Sequence, residues 1–351
     1  VPPAANSLRP PRAILGTPPG QPAALAVVAL HADAPHALAP ILTRVLRLPA
    51  LTPHSARLVT FRDAAGHPID SGLACAWSDT RVDLFPHGGP LVVHHLLDAL
   101  AEAGCAITAP SDTDPHDLFP EARSLLEARA LRALASAASP RAVDLLLAQP
   151  RRWASLHPDA DHSPGLLADH AALRHLLTPP LVAAVGAPNI GKSSLLNAVA
   201  RRSVALVADT PGTTRDAVGC MLELDGLTVR YLDCPGFAHP PRDALDAAAQ
   251  HAALALLARA DLILLCHDAP APAPEALASK LPPQVYAALP GCPTLRVALR
   301  SDLAPAGRAS PDLLATSAAT GTGLSDLAQA VRQALVPDSA LADHRPWRFW
   351  S

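Results

Sequence analysis

The segment Gly186-Ala187-Pro188-Asn189-Ile190-Gly191-Lys192-Ser193 decides the fold. It has the form G-x-x-x-x-G-K-S, in which the glycines let the backbone curl so that its N–H groups converge on phosphate oxygens. Before it, Leu181-Val182-Ala183-Ala184-Val185 is a short apolar run that reads as a buried parallel strand. After it, Ser193–Ala200 reads as a helix with Leu195, Leu196 and Val199 on one face, and its N-terminus adds partial positive charge. The candidate nucleotide-binding residues of the loop are Asn189, Ile190, Gly191, Lys192, Ser193 and Ser194. In such a loop the lysine reaches the β- and γ-phosphates and the serine hydroxyl ligates Mg²⁺. A chance match is the alternative, and composition weighs against it. The chain has 26 Arg and only 2 Lys, yet one lysine stands where a compact ammonium is needed.

Outward from this loop, 351 residues predict two or three domains. Half the residues are hydrophobic but only 3% are aromatic, so any core is built from small aliphatic side chains. A net charge of -3 gives no overall basic field for nucleic acid. The six cysteines form no C-x-x-C pair, as expected of a reducing compartment. No apolar run reaches the ~20 residues of a membrane helix, and the first residues lack a signal-peptide pattern. A cytoplasmic protein with no membrane contact is the expectation.

Residues 1–22 are Pro-rich and predicted poorly ordered. Strands are predicted at 23–30, 55–61, 72–77, 81–85 and 105–109, with helices at 35–48 and 91–103. Pro-broken helices are predicted at 118–135, 140–148 and 165–177, with 149–164 a loop. From 181 onward, strands at 221–224, 228–232, 262–267, 295–299 and 313–316 are accompanied by helices at 243–259 and 324–335. This alternation argues a doubly wound α/β sheet with ligand loops at the strand C-termini. The expected domains are 1–113 (mixed β/α), 114–178 (helical), 179–337 (P-loop) and a tail, 338–351. The tail's Trp347, Phe349 and Trp350 either pack onto the body or form a partner hook.

Three further motifs follow the loop in order. Pro211-Gly212-Thr213-Thr214-Arg215-Asp216 has the character of a switch, in which a Thr completes the Mg²⁺ shell. In Asp233-Cys234-Pro235-Gly236, the Asp would hold the metal through water and the Gly N–H would contact the γ-phosphate. In Leu299-Arg300-Ser301-Asp302, Asp302 can accept from guanine N1 and N2, while Ser317 and Ala318 would bring backbone amides to the guanine oxygen. Lys192, Thr214 and Gly236 are the candidate catalytic residues; Ser193, Thr214 and Asp233 are the candidate Mg²⁺ ligands.

The ordered set is that of a GTPase, and it resembles the MnmE (TrmE) family of tRNA modification GTPases. The matches are GAPNIGKSSLLN (186–197), PGTTRD (211–216), DCPG (233–236), SAATGTGL (317–324), GTPPG (16–20) and HGGP (87–90). The resemblance implies an N-terminal domain that binds a formyl-tetrahydrofolate and forms a homodimer. It also implies G domains that pair in the presence of K⁺, ligated at Asn189, and a flavin-dependent partner, MnmG, acting on the wobble uridine of tRNA. The sequence departs from the family pattern at several points. LRSD stands for NKxD, Leu245 falls near the family's switch-II Glu, and the C-terminal Cys-x-Gly-Lys motif is absent. A GTP-binding scaffold with little turnover is therefore the second functional class to be weighed. His94-His95 point to different helix faces and make no metal site, and Asp112, Asp114 and Asp117 read as a capping cluster. His87 reads equally as a ligand contact or part of a tight turn.

Overall fold

The computed structural model describes residues 9–17, 22–155, 170–202, 219–237, 241, 243–270, 285, 291–304 and 313–350. The chain divides into two compact units, Val1–Arg132 and Ala133–Ser351.

The first unit runs β1 (Arg12–Leu15), β2 (Ala23–Leu25), β3 (Val28–His31), α1 (Ala39–Leu46), β4 (Ser55–Arg62), β5 (Pro68–Ser78), β6 (Arg81–Phe85), β7 (His87–Gly88), α2 (Pro90–Glu102), β8 (Ala106–Thr108) and α3 (Pro115–Leu118). A six-stranded sheet in the order β4-β5-β6-β3-β1-β8 is antiparallel except where β1 meets β8. One sheet face carries Leu30, Phe61, Ala74 and Leu84, which pack with Ile41 and Val45 of α1 and Leu96 and Leu100 of α2. Helix α1 begins with a proline in its first turn and ends at Arg47 in the left-handed region, whose N–H closes on the Leu42 carbonyl. Helix α4 (Leu125–Ser136) contains the division between the units.

The second unit continues with α5 (Ala142–Ala154), α6 (His170–Leu173), β9 (Leu181–Val185), α7 (Lys192–Arg202), β10 (Gly219–Leu224), β11 (Leu227–Asp233), α8 (Ala244–Leu257), β12 (Leu262–Asp268), β13 (Thr294–Leu299), β14 (Leu314–Ala315), α9 (Leu324–Leu335) and α10 (Asp338–Leu341). Its sheet order is β10-β11-β9-β12-β13-β14, parallel but for the β10–β11 hairpin. Strand β9 is central and its Val182–Val185 are fully buried, which explains the unbroken apolar run in the sequence. The hairpin turns at Asp225-Gly226, both at positive φ, as a two-residue turn between twisted strands requires. Asp225 accepts from Arg141 Nη2 at 2.7 Å and from Arg332 Nε at 2.9 Å, and Arg332 also reaches Asp338. One turn thereby joins the α5 segment, the sheet, α9 and α10. Burial pushes the Asp225 carboxyl up, but the hydrogen bonds from the two guanidiniums outweigh it and leave the group below its ordinary value.

Several predicted elements change. Residues 12–15 are not poorly ordered: Arg12–Leu15 is an inner strand, paired on both sides, with Ala13 and Ile14 fully buried. The flanking prolines masked a short alternating run. The predicted strand 23–30 is two strands in two sheets. The predicted helix 118–135 starts only at Leu125, after a separate short helix, because Pro120 cannot continue it. Residues 149–154 are helical, not loop, despite Pro150. Tertiary packing accounts for this. Buried Gln149 accepts the Trp347 backbone N–H at 2.7 Å, and Trp153 Nε1 donates to the Trp347 carbonyl at 3.1 Å. Trp347 is wholly buried, Phe349 nearly so, and Trp350 stacks at 5.1 Å from Trp153. The tail aromatics pack onto the body.

Gly88 lies against Ala23 so closely that a Cβ would sit 2.4 Å from the Ala23 carbonyl oxygen. With His87 Nδ1 at 2.9 Å from Asp70 Oδ1, His87 sits in a short strand paired with β2 and not in the tight turn that is one of its two readings. Asp114 caps α3 by accepting the His116 N–H, in keeping with the capping reading of that cluster. No group of His, Cys, Asp and Glu that could hold a metal is found among the described residues. No helix among them is long and apolar enough to cross a membrane.

Candidate nucleotide-binding site

The loop 186–191 joins the C-terminal end of β9 to the N-terminus of α7, at the centre of a parallel sheet. That is where an open α/β sheet gathers its ligand loops. Asn189 sits at φ 61, exposed at the turn, and Ile190 is buried beneath it. Lys192 opens α7 with only 6% exposure, and its Nζ donates to the Gly186 and Ala187 carbonyls at 3.3 and 3.0 Å. Burial pushes the ammonium below its ordinary value, while Cys266, Asp233 and Cys234 oppose the shift. Burial also pushes the Cys266 and Cys234 thiols up to about 12, so neither becomes a thiolate that would cancel the lysine charge. A polyanion arriving at this loop would relieve the strained ammonium.

Ser193 Oγ donates to Asp233 Oδ2 at 2.5 Å, which joins the loop to the end of β11. The other carboxylate oxygen, Oδ1, is buried with no hydrogen-bond partner among the described residues. A half-buried carboxylate with one oxygen unpaired among the described residues, beside a serine hydroxyl, fits a hydrated Mg²⁺, a hard cation that takes oxygen ligands and keeps several waters. Gly236 lies against the loop itself: a Cβ there would stand 2.4 Å from Pro188 Cα. The neighbouring Phe237 N–H donates to the Gly186 carbonyl at 3.2 Å, fixing the approach.

Beside the loop lies a cavity of about 410 Å³. One wall is α7, through Ser194, Asn197 and Arg201; the facing wall is Leu299, Arg300, Asp302, Thr316 and Ala318. Asp302 is exposed at a short 3₁₀ turn, and Ser317 is wholly buried, its Oγ accepting the Thr320 N–H at 3.2 Å. The structure thus gathers Asn189, Ile190, Gly191, Lys192, Ser193, Ser194, Asp233, Gly236, Asp302, Ser317 and Ala318 around one end of the sheet. Thr213 and Thr214 lie outside the described residues, as do 18–20 of the GTPPG stretch. Leu245, which the resemblance sets near the family's switch-II Glu, is 81% exposed and carries no group able to handle a proton. Sequence reasoning missed Asp268 and Arg201. Asp268 ends a parallel strand on the ligand side of the sheet, which is a readable signal. Arg201 stands at i+7 from Ser194 and i+4 from Asn197, on the same face of α7, so helical spacing from the loop is the signal that could have found it.

A family model described as 50S ribosome-binding GTPase matches residues 181–287. The tRNA modification GTPase MnmE of Acidiphilium cryptum is 32% identical over 331 residues, covering 81% of this chain and 73% of that relative. The protein of the same name from Alkalilimnicola ehrlichii is 31% identical over 364 residues, covering 89% of this chain and 79% of its own. That of Thermus thermophilus is 40% identical over 171 residues, covering 49% and 37%.

Proposed function

This chain belongs to the MnmE family of tRNA modification GTPases, and from that membership we propose how its own residues bind and hydrolyse GTP. The chain is a P-loop GTP-binding protein and GTP hydrolase. The observation that carries the site assignment is the buried Lys192 at the start of α7 beside the Ser193–Asp233 hydrogen bond. Lys192 moves from the loop carbonyls to the β- and γ-phosphates, and the loop N–H groups supply the remaining donors. Ser193, Asp233 and Thr214 hold Mg²⁺, which when bound neutralises charge on the phosphate oxygens. The Gly236 N–H meets the γ-phosphate. Asp302 accepts from the guanine edge, and the Ser317 and Ala318 backbone faces its oxygen. Catalysis here is positioning and charge neutralisation.

By family likeness, Asn189 ligates K⁺ and the chain forms a homodimer through its N-terminal unit. A formyl-tetrahydrofolate, a tRNA and an MnmG-like flavoprotein are its further partners, in the cytoplasm. Potassium-stimulated GTP turnover of the purified chain tests the reading, with Lys192→Ala as control. Turnover well above that control is expected. A rate equal to it would leave a GTP-dependent scaffold, the function that the loss of the switch-II Glu at Leu245 would otherwise favour.

A further inference from the structure

Strand β11 carries two buried polar atoms that have no hydrogen-bond partner among the described residues: Asp233 Oδ1 and the Tyr231 hydroxyl. The two residues are two positions apart, so their side chains leave the same face of the sheet about 6.6 Å from each other. Strand side chains lean along the strand, and a tyrosine ring is long enough to reach across that step. The register offers the phenol no other acceptor. Tyr231 is 2% exposed, and it pairs with Val182 on β9 and Cys220 on β10. Asp233 pairs with Ala184, which brings only a methyl to that face. Burial first, then the neighbouring Cys266 and Asp233, push the Tyr231 hydroxyl well above its ordinary value, so the proton stays on it. One atom is a donor and the other an acceptor, and each, while unpaired, bears a desolvation cost with no bond in return.

We propose that Tyr231 is a positioning residue for the carboxylate that serves Mg²⁺: as Ser193 Oγ turns from Asp233 to the metal, the Tyr231 hydroxyl donates to Asp233 Oδ1 and fixes Oδ2 toward the metal-bound water. This rests on the reading that Ser193 and Asp233 hold Mg²⁺. In the structure Ser193 Oγ holds Oδ2 at 2.5 Å. A hydroxyl that ligates a cation directs its oxygen at the metal, which loosens that bond and leaves the carboxylate in need of a second anchor. Carboxylates beside metals are commonly held by such outer hydrogen bonds, and losing one costs about 10–100-fold in metal affinity. A carboxylate has about four acceptor sites, enough for the phenol and the metal-bound water together.

Tyr231→Phe removes the hydroxyl and little else. The full chain is loaded with a fluorescent GDP, and the Mg²⁺ concentration that halves the GDP release rate is measured by chase with unlabelled GDP. That midpoint should rise about tenfold in Tyr231→Phe, while release in EDTA stays as in the wild type. The metal-free variant should melt no lower than the wild type, because the lost hydroxyl had no partner to lose. In an Asp233→Ala background, Tyr231→Phe should move the midpoint no further, since the phenol acts only through the carboxylate. An unchanged midpoint, or an equal shift in both backgrounds, would overturn the proposal. So would a lower Tm with the midpoint unmoved, the mark of a purely structural hydroxyl. Should Tyr231→Phe not fold, ultraviolet resonance Raman of the wild-type chain takes its place: Tyr231 is one of two tyrosines, and tyrosine bands that Mg²⁺ leaves unmoved in the GDP-loaded protein overturn the proposal equally. A wild-type chain that binds no GDP overturns the GTP reading, and one whose GDP release ignores Mg²⁺ overturns the Mg²⁺ reading; the proposal falls with either.

Discussion

Replacing Gly236 by alanine adds a single methyl group at the most crowded junction of the site. The new Cβ would stand 2.4 Å from Pro188 Cα, 2.7 Å from Pro188 N and 2.9 Å from Pro188 Cβ. Carbon atoms in good contact are about 3.5–4.0 Å apart, so the two segments must separate by roughly 1 Å. Neither is free to do so. The phosphate loop is tied to the 233–237 segment by the Phe237 N–H on the Gly186 carbonyl, and Phe237 itself is buried. Forced repacking of this kind costs about 1–3 kcal/mol. For a unit of this size each kcal/mol lowers Tm by about 2–4 °C, which gives a fall of roughly 2–12 °C. The nucleotide effect is directional. In the proposed site the Gly236 N–H meets the γ-phosphate, which only GTP carries, so GTP should weaken more than GDP. Scanning calorimetry of the free protein, followed by titration with GDP and a non-hydrolysable GTP analogue, reads both effects. A Tm within a degree of wild type and an unchanged GTP-to-GDP ratio would refute the close approach and the role given to Gly236.

Two further expectations concern stability. Burial pushes His31 and His267 below the ordinary imidazole value of about 6.5. Both are neutral in either state at higher pH, so the stability they confer is intact above that value. It is lost as pH falls below it, because the unfolded chain takes up protons that the native sites resist. Denaturant titrations at pH 7.5 and 5.5 should show a lower stability at 5.5, and a His267→Phe variant should show a shallower fall; equal stabilities at the two pH values would contradict the burial argument. Asp225→Asn keeps a residue tolerant of positive φ but removes the charge that pairs with Arg332, which is only 3% exposed. Asp338 still serves Arg332, so the loss should be about 2 kcal/mol, or roughly 4–8 °C in Tm. A change under one degree would show that Asp338 suffices.

The nucleotide half was legible because its strands are buried on both faces and read as continuous apolar runs ending at ligand loops. Strands Leu181–Val185 and Leu262–Asp268 and helix Leu324–Leu335 lie where the apolar pattern placed them. What failed were segments decided by tertiary pairing. Arg12–Leu15 is a strand only because β3 and β8 flank it, and Gln149–Ala154 is helical only because the tail closes over it. At the site, the loop lysine, the serine and Asp233 could be read from spacing. The Asp268–Arg300 pair could not, since its members stand 32 positions apart and meet only through the register of β12 with β13.

The turn at Asp225 sets how the sheet can respond when the opposite end of β11 is pulled. Strand β11 ends at Asp233 beside the phosphate loop and begins next to a turn clamped by two guanidiniums, one from each flanking helical segment. A slip of two residues along β9 would carry the turn about 6.6 Å and tear both guanidiniums away. Translation of the hairpin is thereby braked, whereas tilting about Asp225 is not. Any motion begun at Asp233 or Gly236 must reach α5 and α9 as torque about a fixed pivot.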